Sequence, residues 1–126
     1  MESVYPTIDV AVQNRLDHYL GPIASRFMSP LLLWQLKPRL AMSASDLRPL
    51  DRIATVGCPI FVISGENDRH TTRQDTIVLY SRARTPKRMW LVPKAGHVDL
   101  HVAATAEYES RVLSFFEETV ANNRTE

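Results

Sequence analysis

Two titratable residues, Asp68 and His97, stand in matching local settings and could together do acid–base chemistry. Asp68 lies a few residues past the apolar, β-branched run Ile60 to Ser64, which Pro59 and Gly65 bound. His97 follows a second such run, Arg88 to Val92, and comes directly after Gly96. Short apolar runs of this kind read as buried strands of a parallel sheet. A carboxylate that holds an imidazole in one tautomer makes it a usable general base, and the two form the acid and base of a Ser-His-Asp relay.

Such a pair works only if the chain brings the two strand exits to one edge. Between the strands, Thr71 to Arg84 is compatible with a helix, with Ile77, Val78, Tyr80 and Ala83 as its expected buried positions. Strand, helix, strand predicts a crossover with adjacent parallel strands, so that both exits share the rim where functional groups collect. Gly65 lets the backbone leave the sheet without a Cβ clash. The rest of the chain reads as support. Thr7 caps a helix from about Ile8 to Leu20, and Gly21-Pro22 ends it. Ser29-Pro30 starts a second helix that Pro38 stops. The Leu31–Leu36 stretch of that helix is apolar on most sides and predicts burial in a core or an interface. Leu40 to Gly57 is a connector in which Leu47, Leu50 and Ile53 pin a helical turn under the sheet. A last helix, about Ala103 to Val120, buries Val112, Leu113, Phe116 and Val120, and Ala121 to Glu126 reads as a frayed tail. The reading is one partial α/β domain over residues 1–126. Residues 1–57 form its helical region, and 58–126 carry the strands, the acid and the His.

Residues 65–71, Gly-Glu-Asn-Asp-Arg-His-Thr, and 95–100, Ala-Gly-His-Val-Asp-Leu, resemble the C-terminal third of the α/β-hydrolase fold, in its serine-hydrolase and peptidase-like branch. The segment Glu-Ser-Val-Tyr-Pro-Thr at residues 2–7 is similar to the stretch after that family's sixth strand. The resemblance implies Asp68 as the acid after the seventh strand and His97 as the base after the eighth, in the chain order Ser, Asp, His. It implies hydrolysis of an ester, amide or related acyl bond. The chain departs from the family pattern in one respect: its glycines, at 21, 57, 65 and 96, never bracket a Ser as Gly-x-Ser-x-Gly. The expectation is a distal piece of a hydrolase whose nucleophile, oxyanion loop and first six strands would precede Met1, and which is inactive alone. The alternative is a non-catalytic module that associates with itself or binds a partner.

Other residues invite weaker readings. His97, Asp99 and His101 alternate as zinc ligands might on an extended strand, but a helix follows too soon, and Asp99 is expected to bond backbone N–H groups instead. His70 is expected to be exposed, and Arg15 and His18 to be solvated or bonded locally. Ser64 lies in the strand without the strained elbow a nucleophile needs. Cys58 reads as a small buried hydrophobe at a strand entrance. No metal or cofactor is expected.

Composition bounds the rest. A net charge of +1 makes no case for nucleic acid or an anionic membrane. The single cysteine forbids an internal disulfide and suits a reducing, cytoplasmic setting. The sequence carries no signal-like segment and no apolar run near the length of a membrane span. With two strands only, the outer edge of Ile60–Ser64 should be bare, which predicts a homodimer through that edge or an adjoining apolar face, or pairing with an N-terminal hydrolase half.

Overall fold

The run Ile60-Phe61-Val62-Ile63 is apolar at every position, so as a strand it must be covered on both faces, and this requirement organises the molecule. The computed structural model describes residues 1–123, with the side chains of 122 and 123 left aside. In chain order the elements are α1 (Ile8–Trp34), α2 (Leu36–Leu40), α3 (Pro49–Arg52), β1 (Ile60–Gly65), α4 (Arg73–Arg82), β2 (Lys87–Val92), α5 (Leu100–Ala103) and α6 (Thr105–Asn123), with 3-10 turns at 44–46 and 53–55. It is an α/β arrangement. β1 and β2 pair in parallel with Ile60 opposite Lys87 and Gly65 opposite Val92.

Alternation along the strands splits the core into two layers. Phe61 and Ile63 of β1 and Trp90 and Val92 of β2 face α6, where Phe115, Leu100 and Ala95 complete the packing. Ile60 and Val62 face the other way, onto Leu79 and Ala83 of the α4 region and Ile53 of the connector. The α4 helix starts on a capping box. Thr72 Oγ1 accepts from Asp75 N, while the Asp75 carboxylate accepts from Thr72 N. Its innermost side chains are Thr76 and Leu79, whereas Ile77, Val78 and Tyr80 are only half-buried, a phase one residue off the expectation.

The outer edge of β1 is not bare. The Met1 amino group donates to Phe61 O at 2.8 Å, Ile63 N to Met1 O at 2.8 Å, and Ser3 N to Ile63 O at 2.9 Å, with Glu2 bridging Ile63 in parallel. The extended start of the chain thus satisfies the edge groups of β1 at Phe61 and Ile63.

The α1 helix departs furthest from expectation. It runs on to Trp34, but Gly21 breaks its backbone at φ 78°, a left-handed value that glycine adopts freely. Pro22 therefore opens the second half as a first-turn residue, and Pro30 lies inside it rather than starting a new helix. The two halves are clasped by polar groups. Gln13 Nε2 donates to Asp17 Oδ1 at 2.9 Å and to Ser25 Oγ at 2.8 Å, and Ser29 Oγ donates to Gln13 Oε1 at 2.8 Å. Because the inner face is polar, the apolar side chains point outward: Ile23 is 79 % exposed, Phe27 78 % and Trp34 72 %. The expected burial of Leu31 to Leu36 is not met within the chain, since Leu31 and Leu32 are exposed as well.

Three smaller corrections belong here. Cys58 is exposed, because the chain enters β1 only at Ile60. On α6 the inward stripe is Tyr108, Val112 and Phe115, leaving Leu113, Phe116 and Val120 outside. The helix also extends to Asn123 in place of a frayed tail from Ala121, and residues 124–126 of that expected tail lie outside the described residues. Among the described residues no helix is long and apolar enough to cross a membrane.

Candidate functional site

The two strand exits lie against each other because Gly65 has no side chain. A Cβ there would stand 2.4 Å from Gly96 O and 2.5 Å from Ala95 O, both backbone atoms of the loop that carries His97. That close approach lets Glu66 N donate to Val92 O at 3.0 Å and Asn67 N to Ala95 O at 2.8 Å. Two loops from different strands are thereby stitched into one rim.

Asp68 lies at the centre of the rim. Its side chain is fully buried, and both carboxylate oxygens are engaged in hydrogen bonds. Oδ1 takes His70 N at 2.8 Å and Thr71 N at 3.0 Å; Oδ2 takes Thr71 Oγ1 at 2.5 Å. His97 Nδ1 lies 2.9 Å from the same Oδ2. Burial acts to raise the Asp68 pKa, but the bonds from the Thr71 hydroxyl, from His97 and from the two backbone amides outweigh it, and the carboxyl is held below its ordinary value. An ionised carboxylate has no proton to give, so the shared proton resides on His97 Nδ1. Nε2 is then the ring nitrogen with the free lone pair, on a side chain 37 % exposed.

The rim thus brings together the two residues singled out for acid–base chemistry, and adds some that the sequence reading passed over. Thr71 is fully buried, and its hydroxyl shares Oδ2 with His97; a threonine between polar neighbours carries no sequence signal of that role. His70 is half-buried rather than exposed, with its ring edge-on to His97 at a centroid distance of 5.1 Å. His18, exposed on α1, also packs on His70, at a centroid distance of 5.0 Å. The backbone is tied across as well, since Asn14 Nδ2 of α1 donates to His70 O at 2.8 Å and to Asp75 Oδ2 at 3.0 Å.

The remaining candidates go elsewhere. Asp99 caps α5 by accepting from Val102 N at 3.0 Å, and His101 Nε2 faces Glu109 Oε1 at 3.0 Å. The alternating His97, Asp99 and His101 therefore serve three different partners. Among the described residues no three His, Cys, Asp or Glu side chains converge on a metal position. Ser64 is buried, its hydroxyl 3.4 Å from Thr71 O. The larger apolar clefts also lie away from the pair, one between the start of α1 and α3, the other between the β1 edge and α6.

No family model matches the chain, and no curated protein does. Among solved structures, the chain is similar to a hydrolase from Pseudomonas aeruginosa PA01, with 21% sequence identity and a TM-score of 0.49. The match covers 81% of this chain and 38% of that one, so the chain spans well under half the length of that hydrolase.

Proposed function

We propose that this chain is the C-terminal portion of a serine hydrolase of the α/β-hydrolase fold, supplying the acid and the base of its relay. Asp68 is the acid and His97 the base; the nucleophilic serine belongs to a preceding stretch or a partner polypeptide, an N-terminal hydrolase half. The observation that carries the reading is the 2.9 Å contact between Asp68 Oδ2 and His97 Nδ1 at the carboxyl ends of two adjacent parallel strands. In the reaction, His97 Nε2 takes the proton of the serine as it attacks the acyl carbon, then returns it to the leaving group. Asp68 holds the ring in the Nδ1–H tautomer and steadies the imidazolium. Without a serine in reach the base has nothing to deprotonate, so the chain alone is inert toward acyl substrates. A cytoplasmic setting is part of the proposal, in keeping with an exposed free thiol at Cys58.

The test is complementation. If the in-frame sequence upstream encodes a Gly-x-Ser-x-Gly, that polypeptide and this chain are expressed together and treated with a fluorophosphonate. The reading expects labelling of the upstream serine, with turnover of a nitrophenyl ester falling by about 10⁴-fold or more in His97→Ala. Labelling of any serine in this chain alone, or turnover indifferent to His97, contradicts it.

A second reading is a non-catalytic module that associates with its own kind. The outward-facing Ile23, Phe27 and Trp34 of α1 favour it, since apolar surface of that extent is rarely left wet.

A further inference from the structure

Three of the four histidines, from three different elements, stand in one row. His97 comes from the β2–α5 loop, His70 from the β1–α4 loop, and His18 from α1, with successive centroids 5.1 Å and 5.0 Å apart and the rings nearly perpendicular, at 76° and 74°. Only His97 among them has a carboxylate partner among the described residues. His70, in contact with both of the others, has a buried Nδ1 with no hydrogen-bond partner. Its main-chain carbonyl is the one that Asn14 grips from α1.

We propose that His70, whose ring packs against both His97 and His18, is a positioning residue for the relay imidazole and couples its setting to the seating of α1. Asp68 fixes one nitrogen of His97 but leaves the ring free to swing about that bond. The perpendicular contact with His70 supplies the second constraint, and His70 in turn packs on His18.

The row is also sensitive to protons. The groups facing His70 are His97 from the β2–α5 loop, Arg15 and His18 from α1, and Asp68 from its own loop; Asp75 reaches it only by way of Asn14. Burial, then the positive charge of His97, Arg15 and His18, lowers the His70 pKa, against the weaker pull of Asp68. The lowered value means that the folded chain takes up the proton less readily than the unfolded one. The His70 contribution to the joint is therefore intact above the ordinary value of 6.5 and declines as pH falls below it. The bearing of this on hydrolysis rests on reading His97 as a base, but the coupling between the rings does not.

The experiment follows the ring protons and nitrogens of the ¹⁵N-labelled full chain by NMR, comparing wild type with His70→Phe, His70→Ala and His18→Gln. The downfield Nδ1–H resonance of His97 is expected to persist in His70→Phe, which keeps a flat ring, and to broaden away in His70→Ala. The His70 titration midpoint is expected to rise in His18→Gln, because a like charge beside it is removed. An unchanged Nδ1–H resonance in His70→Ala overturns the positioning role. An unmoved His70 midpoint in His18→Gln, a variant at an exposed position, overturns the coupling to α1. Neither readout depends on ester hydrolysis, so a failed complementation with both shifts present would sink the functional reading alone.

Discussion

Replacing Gly65 by alanine adds a single methyl group at the contact on which the whole rim depends. The new Cβ would lie 2.4 Å from Gly96 O, 2.5 Å from Ala95 O and 2.9 Å from Ala95 C, where ordinary contact begins near 3.4 Å. None of these atoms ends a flexible side chain, so the His97 loop must back away by about 1 Å, a displacement of the kind that makes overpacking cost about 1–3 kcal/mol. That movement strains the bonds Asn67 N to Ala95 O and Glu66 N to Val92 O, each contributing about 1 kcal/mol. A total loss of about 3 kcal/mol follows, together with loosening of the Asp68–His97 contact. Urea unfolding measures the first and the His97 Nδ1–H resonance the second. Gly57→Ala is the control, since its Cβ would meet nothing within 4 Å and its φ lies outside the left-handed range; it should be neutral or stabilising by about 0.5 kcal/mol. If Gly65→Ala unfolds within about 0.5 kcal/mol of wild type and keeps the resonance, the close-approach argument is refuted.

Asp68→Ala strips the acceptor from His70 N, Thr71 N and the Thr71 hydroxyl as well as from His97, and should cost about 3 kcal/mol in a thermal or urea melt. A change below about 1 kcal/mol would argue against a carboxylate held by these four bonds. Because the Asp68 pKa is lowered on folding, its ionised form contributes stability that is complete above the ordinary value of 3.8 and lost as pH falls through the folded value. Melts below pH 4 should accordingly fall less steeply for Asp68→Asn than for wild type, and equal slopes would argue against it. If α1 carries a self-association face, sedimentation equilibrium should show the chain more monomeric in Phe27→Glu or Trp34→Glu, whereas a wild-type monomer at micromolar concentration would remove that face as an interface.

The strand–helix–strand unit was legible because its signals are local and agree with one another. Ile60 to Ile63 is apolar at every position, Gly65 and Gly96 mark the exits, and a helix-compatible stretch from Thr71 to Arg84 joins the two strands, so the relation of Asp68 to His97 could be expected from topology. Helix phase was less legible where apolar residues occupy more than one face. On α6, Val112, Leu113, Phe115 and Phe116 offer two stripes, and only the position of the sheet, with Phe61 of β1 5.3 Å from its ring, selects Phe115. On α1 the same ambiguity was resolved by polar residues, since the clasp of Gln13, Asp17, Ser25 and Ser29 turned the apolar side chains outward. No pattern of periodicity announces a buried polar clasp between residues more than ten positions apart. The histidine row was invisible for the same reason, because His18 and His70 meet only through the path of α1 over the rim.

The account stands on Asp68 holding His97 in the tautomer that leaves Nε2 free, and long-range ¹H–¹⁵N correlation of the histidine ring nitrogens measures this directly. With the imidazole neutral, a protonated Nδ1 and an unprotonated Nε2 are expected in the wild-type chain, with the preference lost in Asp68→Ala. A proton found on Nε2, or a tautomer that ignores the removal of the Asp68 carboxylate, would contradict it.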